Sequence, residues 1–390
     1  MMVALILAQI VLPWPGLDSP FVQPGPTICV GECAGPVVWG PAERGRLVVA
    51  CDMTSDTCSD GRKITTQRAT PVPCETSPGV WEMVPEDTGC YSVRGLESWA
   101  ATTSYLAYGA DLTNTAWLKH GGMSVEKVGS VYRIRRNKDN TEAAFVYQEI
   151  AAVTQQETWT AACVMRAGTA TVARMSVDRG VRAEFVNLTS EWKVFATTRT
   201  FAEGRVPGVS IGPEFTAGDI YIEVAGCWLT KTDTPGRPCW GGEAPVTCAA
   251  DQHRISTEGW PTESGEICVS FVPGPLGELK WVLDGRSSTI TGATRILLRN
   301  DTNRLEVLGA QGGLAGPTLD EGQAYTACVK REAGQVSLIL DGEVVASAAS
   351  ANPFLWAPEA GIGGSTLVFT QRLNGSIRSL RIRSYEEVSP

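Results

Sequence analysis

The pentapeptide Gly208-Val209-Ser210-Ile211-Gly212 has the G-x-S-x-G spacing of a serine nucleophile elbow. An elbow lifts its serine on a sharp turn between a strand and a helix, and it needs a histidine as base. Here Pro207 and Pro213 bracket the motif, its surroundings read as strand followed by strand, and His120 and His253 are the only histidines. The spacing therefore predicts a strand edge. Hydrolysis of a glycosidic bond would need two carboxyl groups about 5–10 Å apart. Glu278, Asp284, Asp219, Glu223 and Glu306 are the acids at hand, and all five read as solvated strand ends. No phosphate-binding glycine loop, dinucleotide fingerprint or EF-hand loop occurs. No catalytic residue and no cofactor is expected, and the chain reads as a binding protein, not an enzyme.

Binding chemistry is better supplied. The chain has 12 tryptophans, and an indole face stacks on the C–H face of a pyranose while its N–H finds a polar partner. Trp228, Trp240, Trp281 and Trp356 are the least constrained of them, and Trp228 and Trp281 are the expected glycan-binding residues. Zinc would need CxxC knuckles or cysteine with histidine at short spacing, and neither occurs. Calcium at a sandwich edge needs only loop carboxylates and carbonyls at no fixed spacing, and it is the one metal the sequence leaves room for. Asn187, Asn300 and Asn374 begin Asn-x-Ser/Thr sequons, which matter only in a eukaryotic secretory setting.

Twelve cysteines form an even set: Cys29, Cys33, Cys51, Cys58, Cys74, Cys90, Cys163, Cys227, Cys239, Cys248, Cys268 and Cys328. They are expected to form disulfides, which place the chain outside the cytosol. Cys51 and Cys58 flank a turn and should staple a hairpin, and Cys239 and Cys248 should close a connector loop. Alternation in CVSFVP and AYTACVK puts Cys268 and Cys328 on the outer faces of their strands, where one bond would join them. Cys163 and Cys227 read as inward-facing, where they would bridge or merely pack.

The elements that must position these residues are strands. Trp159–Gly168, WTAACVMRAG, returns degenerately as Tyr325–Gly334, YTACVKREAG, with the cysteine displaced by one residue. Short alternating runs recur about every eight to twelve residues, separated by Gly, Pro, Asn and Asp, which is the signature of sandwiches. In SLILDGEVVASA, Asp341-Gly342 supplies the two left-handed residues of a type I′ hairpin turn. The fold class is all-β: two tandem jelly-roll or β-sandwich domains behind a small Cys-rich N-terminal anchoring segment. The expected divisions are an attachment segment over 1–60, a connector over 61–98, a jelly roll over 99–235, a linker over 236–252 and a second sandwich over 253–390.

The net charge of −9 argues against nucleic acid and against adsorption to an anionic membrane. The apolar start, with Met2, Leu5, Ile6, Ile10, Val11, Leu12 and Trp14, is too short to span a bilayer. In hydrophobicity it resembles a signal peptide, and a cleaved signal is the second reading of residues 1–16, though the basic residues and the clean cleavage site of one are missing. It reads as a docking peptide that buries itself against a partner or its own copies, in a homo-oligomer, trimeric on this reading.

The run from Ala69 to Lys119 resembles the lead-in of tailed-phage head-spike and tail-fibre proteins. Trp81-Glu82, Val84-Pro85, Asp87-Thr88, Arg94-Gly95-Leu96-Glu97, Asp111-Leu112, Asn114, Ala116-Trp117 and Lys119 hold that family's places. WTAACVMRAG and VAGCWLT are similar to two strands of the family's carbohydrate-binding-module-like jelly roll, and Gly242–Asp251 is similar to its connector, with Cys248 where an arginine is usual. The last unit resembles a concanavalin-A/laminin-G-like sandwich, as far as SLRIRSYEEVSP. The resemblance covers about residues 66–390, and the many cysteines depart from it. It implies a virion structural protein (head spike, fibre or decoration subunit) whose partners are capsid, portal/neck or tail proteins and a host-surface glycan. It also implies that Trp117, Trp159, Trp192 and Trp260 are framework aromatics. A secreted or cell-surface lectin-like adhesin is the alternative. A depolymerase is disfavoured, because residues 253–390 lack the Glu-x-Asp-x-x-Glu strand of laminin-G-like glucanases.

Overall fold

The computed structural model describes residues 46–385 apart from residues 54, 93, 137–143, 181, 215–218, 275–278, 301 and 366–371. The N-terminal docking residues, Met2 to Trp14, and Cys29 and Cys33 lie outside the described residues, as does Glu278. Every regular element described is a strand, and all pairings are antiparallel.

The jelly roll is two facing five-stranded sheets. One has the order Lys193–Phe201, Glu157–Ala167, Ile220–Thr230, Val131–Arg136, Met123–Val128. The other has the order Glu184–Asn187, Val172–Ser176, Gly208–Pro213, Phe145–Glu149, Leu118–His120. Alternation builds the core directly: Ala161, Cys163 and Met165 meet Val146, Met175, Ile211, Ile222 and Val224 between the sheets. Trp117 is buried there and donates its indole N–H to the Tyr108 carbonyl at 2.9 Å.

The second sandwich pairs an eight-stranded sheet with a seven-stranded one. In the larger, Gly265–Val272 lies between Tyr325–Glu332 and Gly375–Ser384. Ile267, Val269, Phe271, Tyr325, Ala327 and Val329 face the core, while Cys268 and Cys328 sit opposite each other on the other face. The hairpin Gln335–Leu340 and Glu343–Ala349 turns through Asp341 and Gly342 with φ 50° and 90°, as a type I′ turn requires.

The expected division at residues 60 and 98 does not match this sandwich. Arg46–Asp52 pairs with Gly375–Ser384, Thr65–Gln67 pairs with Gln252–Ser256, and Gly95–Ser98 also pairs with Gly375–Ser384. Val49, Met53, Ile64 and Leu96 are core residues of the second sandwich. The physical reason is the strand Gly375–Ser384. It carries Ile377, Leu380 and Ile382 into the core, and one of its flanks would otherwise be an open edge. The jelly roll is therefore an insertion between two parts of one sandwich. The register Arg46↔Ser384 brings the two ends of the described chain side by side.

Five disulfides are formed among the described residues: Cys51–Cys58, Cys74–Cys90, Cys163–Cys227, Cys239–Cys248 and Cys268–Cys328. The one-residue displacement within the repeat explains the two in-sheet bonds. Cys163 shares the parity of Trp159 and faces the core, whereas Cys328 has the opposite parity to Tyr325 and faces away from it.

Candidate functional site

Trp228 and Trp281 are not open platforms. Trp228 is 0% exposed and donates its indole N–H to the Pro235 carbonyl at 2.6 Å. The outer face of its sheet carries Ala162, Val164, Trp192 and Ala225, and it is covered by Trp240 and by Trp81 of the hairpin Val72–Ser77 and Val80–Val84. The rings of Trp81 and Trp240 stand 5.3 Å apart. Trp281 is 3% exposed and is covered by the Arg286 guanidinium, 4.3 Å from the ring centre. Both lie outside the two inter-sheet cores, and neighbouring segments close over them. Trp240 is likewise buried, and Trp356 is half-buried against Trp260 and Phe354.

The described acids are paired with cations, and of the four only Asp219 is also exposed. Glu223 is held by Arg133 and Arg166, at 3.0 and 2.6 Å. Burial pushes its carboxyl up, but those two arginines outweigh it and hold it below the ordinary value. Glu306 pairs with Arg299 and Arg304, Asp284 with Arg286, and Asp219 with Arg135. Gly208–Gly212 is an interior strand, not an edge, and buries Ser210. A Cβ on Gly208 would stand 2.3 Å from the Gln148 carbonyl oxygen, so glycine here serves close strand packing. Glu266, Cys268 and Cys328 lie within 4.8 Å of one another, but the disulfide consumes both thiolates and leaves no metal set there.

What the fold brings together is the junction of the two sandwiches. Asp251 is fully buried between Arg68 at 2.8 Å and Arg237 at 3.1 Å. Its other hydrogen bond comes from the Trp99 backbone N–H, at 3.1 Å. Burial raises its carboxyl, but the charges of Arg237, His253 and Arg68 prevail and keep it ionised. Arg68 also donates to the carbonyls of Thr70 and Pro85, so this triad pins the hairpin segment, the return linker and the second sandwich to one point. His253 is held at both ring nitrogens, by the Thr66 hydroxyl at 2.9 Å and the Glu97 carbonyl at 2.8 Å. Burial pulls its pKa below the ordinary value, and Asp251 only partly offsets this.

Beside the triad opens a cleft of about 440 Å³. Its walls come from the chain entering the jelly roll, with Trp99, Thr103 and Tyr105, from the chain leaving it, with Lys231 and Asp233, and from Asn374 of the second sandwich. The Trp99 indole N–H donates to Glu97 Oε2 at 2.7 Å, and Tyr105 packs edge-on to Trp159 at 4.9 Å. Lys231 is paired with Glu157 at 2.7 Å. Of the residues lining the cleft the sequence singled out only Asn374, as a sequon. Trp99 and Asp233 sit in linkers without periodicity, and only the tertiary fold makes them neighbours.

No protein-family model and no curated protein matches the chain. It is similar to the CBM40 module of a Ruminococcus gnavus IT-sialidase bound to α2,6-sialyllactose, at 18% identity and a TM-score of 0.27, over 33% of this chain and 79% of that one. It is also similar to domains LG4-5 of the mouse laminin α1 chain, at 10% identity and a TM-score of 0.24, over 61% of this chain and 86% of that one. At these TM-scores neither likeness carries an argument, and the all-β fold rests on the strands themselves.

Proposed function

We propose that this chain is a non-catalytic display protein that presents lectin-like sandwiches to glycans outside the cytosol, and that it is mounted on the particle of a tailed phage as a spike, fibre or decoration subunit. The observation that carries the display reading is the register Arg46↔Ser384, which brings the two ends of the described chain together on the second sandwich and makes the jelly roll an inserted module. On this reading residues 1–45 form the mount, with the apolar N-terminal side chains buried against capsid, portal/neck or tail proteins. The five disulfides among the described residues suit a protein that works in an oxidising setting. The phage assignment is supported by the order of motifs from Trp81 to Lys119.

Electron microscopy of particles assembled without the chain tests the reading. They should lack an appendage and lose binding to host-surface glycan, whereas unchanged particles would exclude the virion role. The same disulfides suit a secreted adhesin, and a mature N-terminus near residues 17–20 would favour that reading.

A further inference from the structure

The junction cleft is lined by a donor and an acceptor that no described residue uses. Resting on the glycan-display reading, we propose that it binds an uncharged saccharide, with Trp99 as the stacking wall and Asp233 and Asn374 as the hydroxyl-binding pair. Trp99 is fixed at both ends, through its backbone N–H on Asp251 and its indole N–H on Glu97. Its ring is therefore in place before a ligand arrives, and little entropy is lost on binding. Asn374 Oδ1 accepts the Ala100 N–H at 2.8 Å. That bond orients the amide and leaves Nδ2 as a donor with no partner among the described residues. The Asp233 carbonyl accepts the Thr198 hydroxyl, and its carboxylate has no partner among the described residues.

A carboxylate that only accepts and an amide nitrogen that only donates are what neighbouring sugar hydroxyls satisfy, since each hydroxyl does both. Charge selects within the class. Lys231, the cation lining the cleft, is neutralised by Glu157, so Asp233 leaves the cleft acidic and works against sialylated, uronic or sulfated sugars. The volume lies within the ordinary range for a small-ligand site, and the position between two sandwiches is where such sites concentrate.

The test uses the purified full chain on an array of neutral oligosaccharides of glucose, galactose and N-acetylhexosamines beside sialylated and sulfated ones. The strongest neutral binder is then titrated by calorimetry against the wild type, Asp233→Asn and Asn374→Asp. Asn374→Asp keeps the acceptor for Ala100, removes the donor and adds a second carboxylate to the cleft. The expected result is a neutral preference and an affinity at least about tenfold weaker in each variant, with unchanged melting temperature. Unchanged affinity in both variants would overturn this site while leaving glycan display intact. A preference for the anionic sugars would overturn the ligand class. No saccharide bound by the wild type would overturn the glycan reading and this site together.

Discussion

His253 shows how a single side chain sets a pH dependence. It is buried beside Asp251, Arg68 and Arg372, and both ring nitrogens are occupied. Its pKa is depressed in the fold, so below the unfolded value of about 6.5 the unfolded chain takes up a proton that the folded chain refuses. Stability must therefore fall as pH drops through that value, with a slope of up to about 1.4 kcal/mol per pH unit from this residue. Urea unfolding at pH 7.5 and 5.5 should show a smaller loss for His253→Gln than for the wild type. An equal loss in wild type and His253→Gln would assign the acid sensitivity to other groups.

The strand Arg46–Asp52 has a role that its Pro/Gly-rich surroundings conceal. It covers a flank of Gly375–Ser384, contributes Val49 to the core, and is tied back by Cys51–Cys58. A chain starting at residue 54 should lose several kcal/mol of stability, because Val49 and Met53 leave the core and the adjoining strand is uncovered. A chain starting at residue 43 should keep it. Melting temperature together with dye binding to exposed apolar surface measures the difference, and equal stability of the two would show that the strand is peripheral. Removing Cys268–Cys328, which closes a loop of sequence separation 60, should cost about 3–4 kcal/mol. A Cys268→Ser/Cys328→Ser double variant unfolding at the wild-type urea midpoint would refute that.

On the proposed reading, mounting and recognition fall on different parts of the chain. Burying about six aliphatic side chains of the N-terminal segment, at about 1.5–3 kcal/mol each, offers on the order of 10 kcal/mol before association costs. That suffices for attachment without a covalent bond. Deleting residues 1–16 should leave both sandwiches folded, with wild-type melting, yet abolish incorporation into particles. Normal incorporation of the truncated chain would place the mount elsewhere.

Local pattern alone determined much of this protein. Period-two alternation specified the strands and the outward parity of Cys268 and Cys328, and Asp341-Gly342 specified its hairpin, because these depend on residues close in sequence. Trp228 and Trp281 stood out in the sequence as unconstrained tryptophans. Local pattern could not show that Trp240 and Trp81 would cover Trp228, since Trp81 arrives from a distant segment, or that the Arg286 guanidinium would fold over Trp281. The pairing of Arg46–Asp52 with Gly375–Ser384 was illegible for the same reason, as strand partners across more than 300 residues leave no local signature. The cleft is the extreme case. Trp99, Asp233 and Asn374 lie in three separate connecting segments, each ordinary as sequence. They become one site because a module inserted into a sandwich must enter and leave through the same junction.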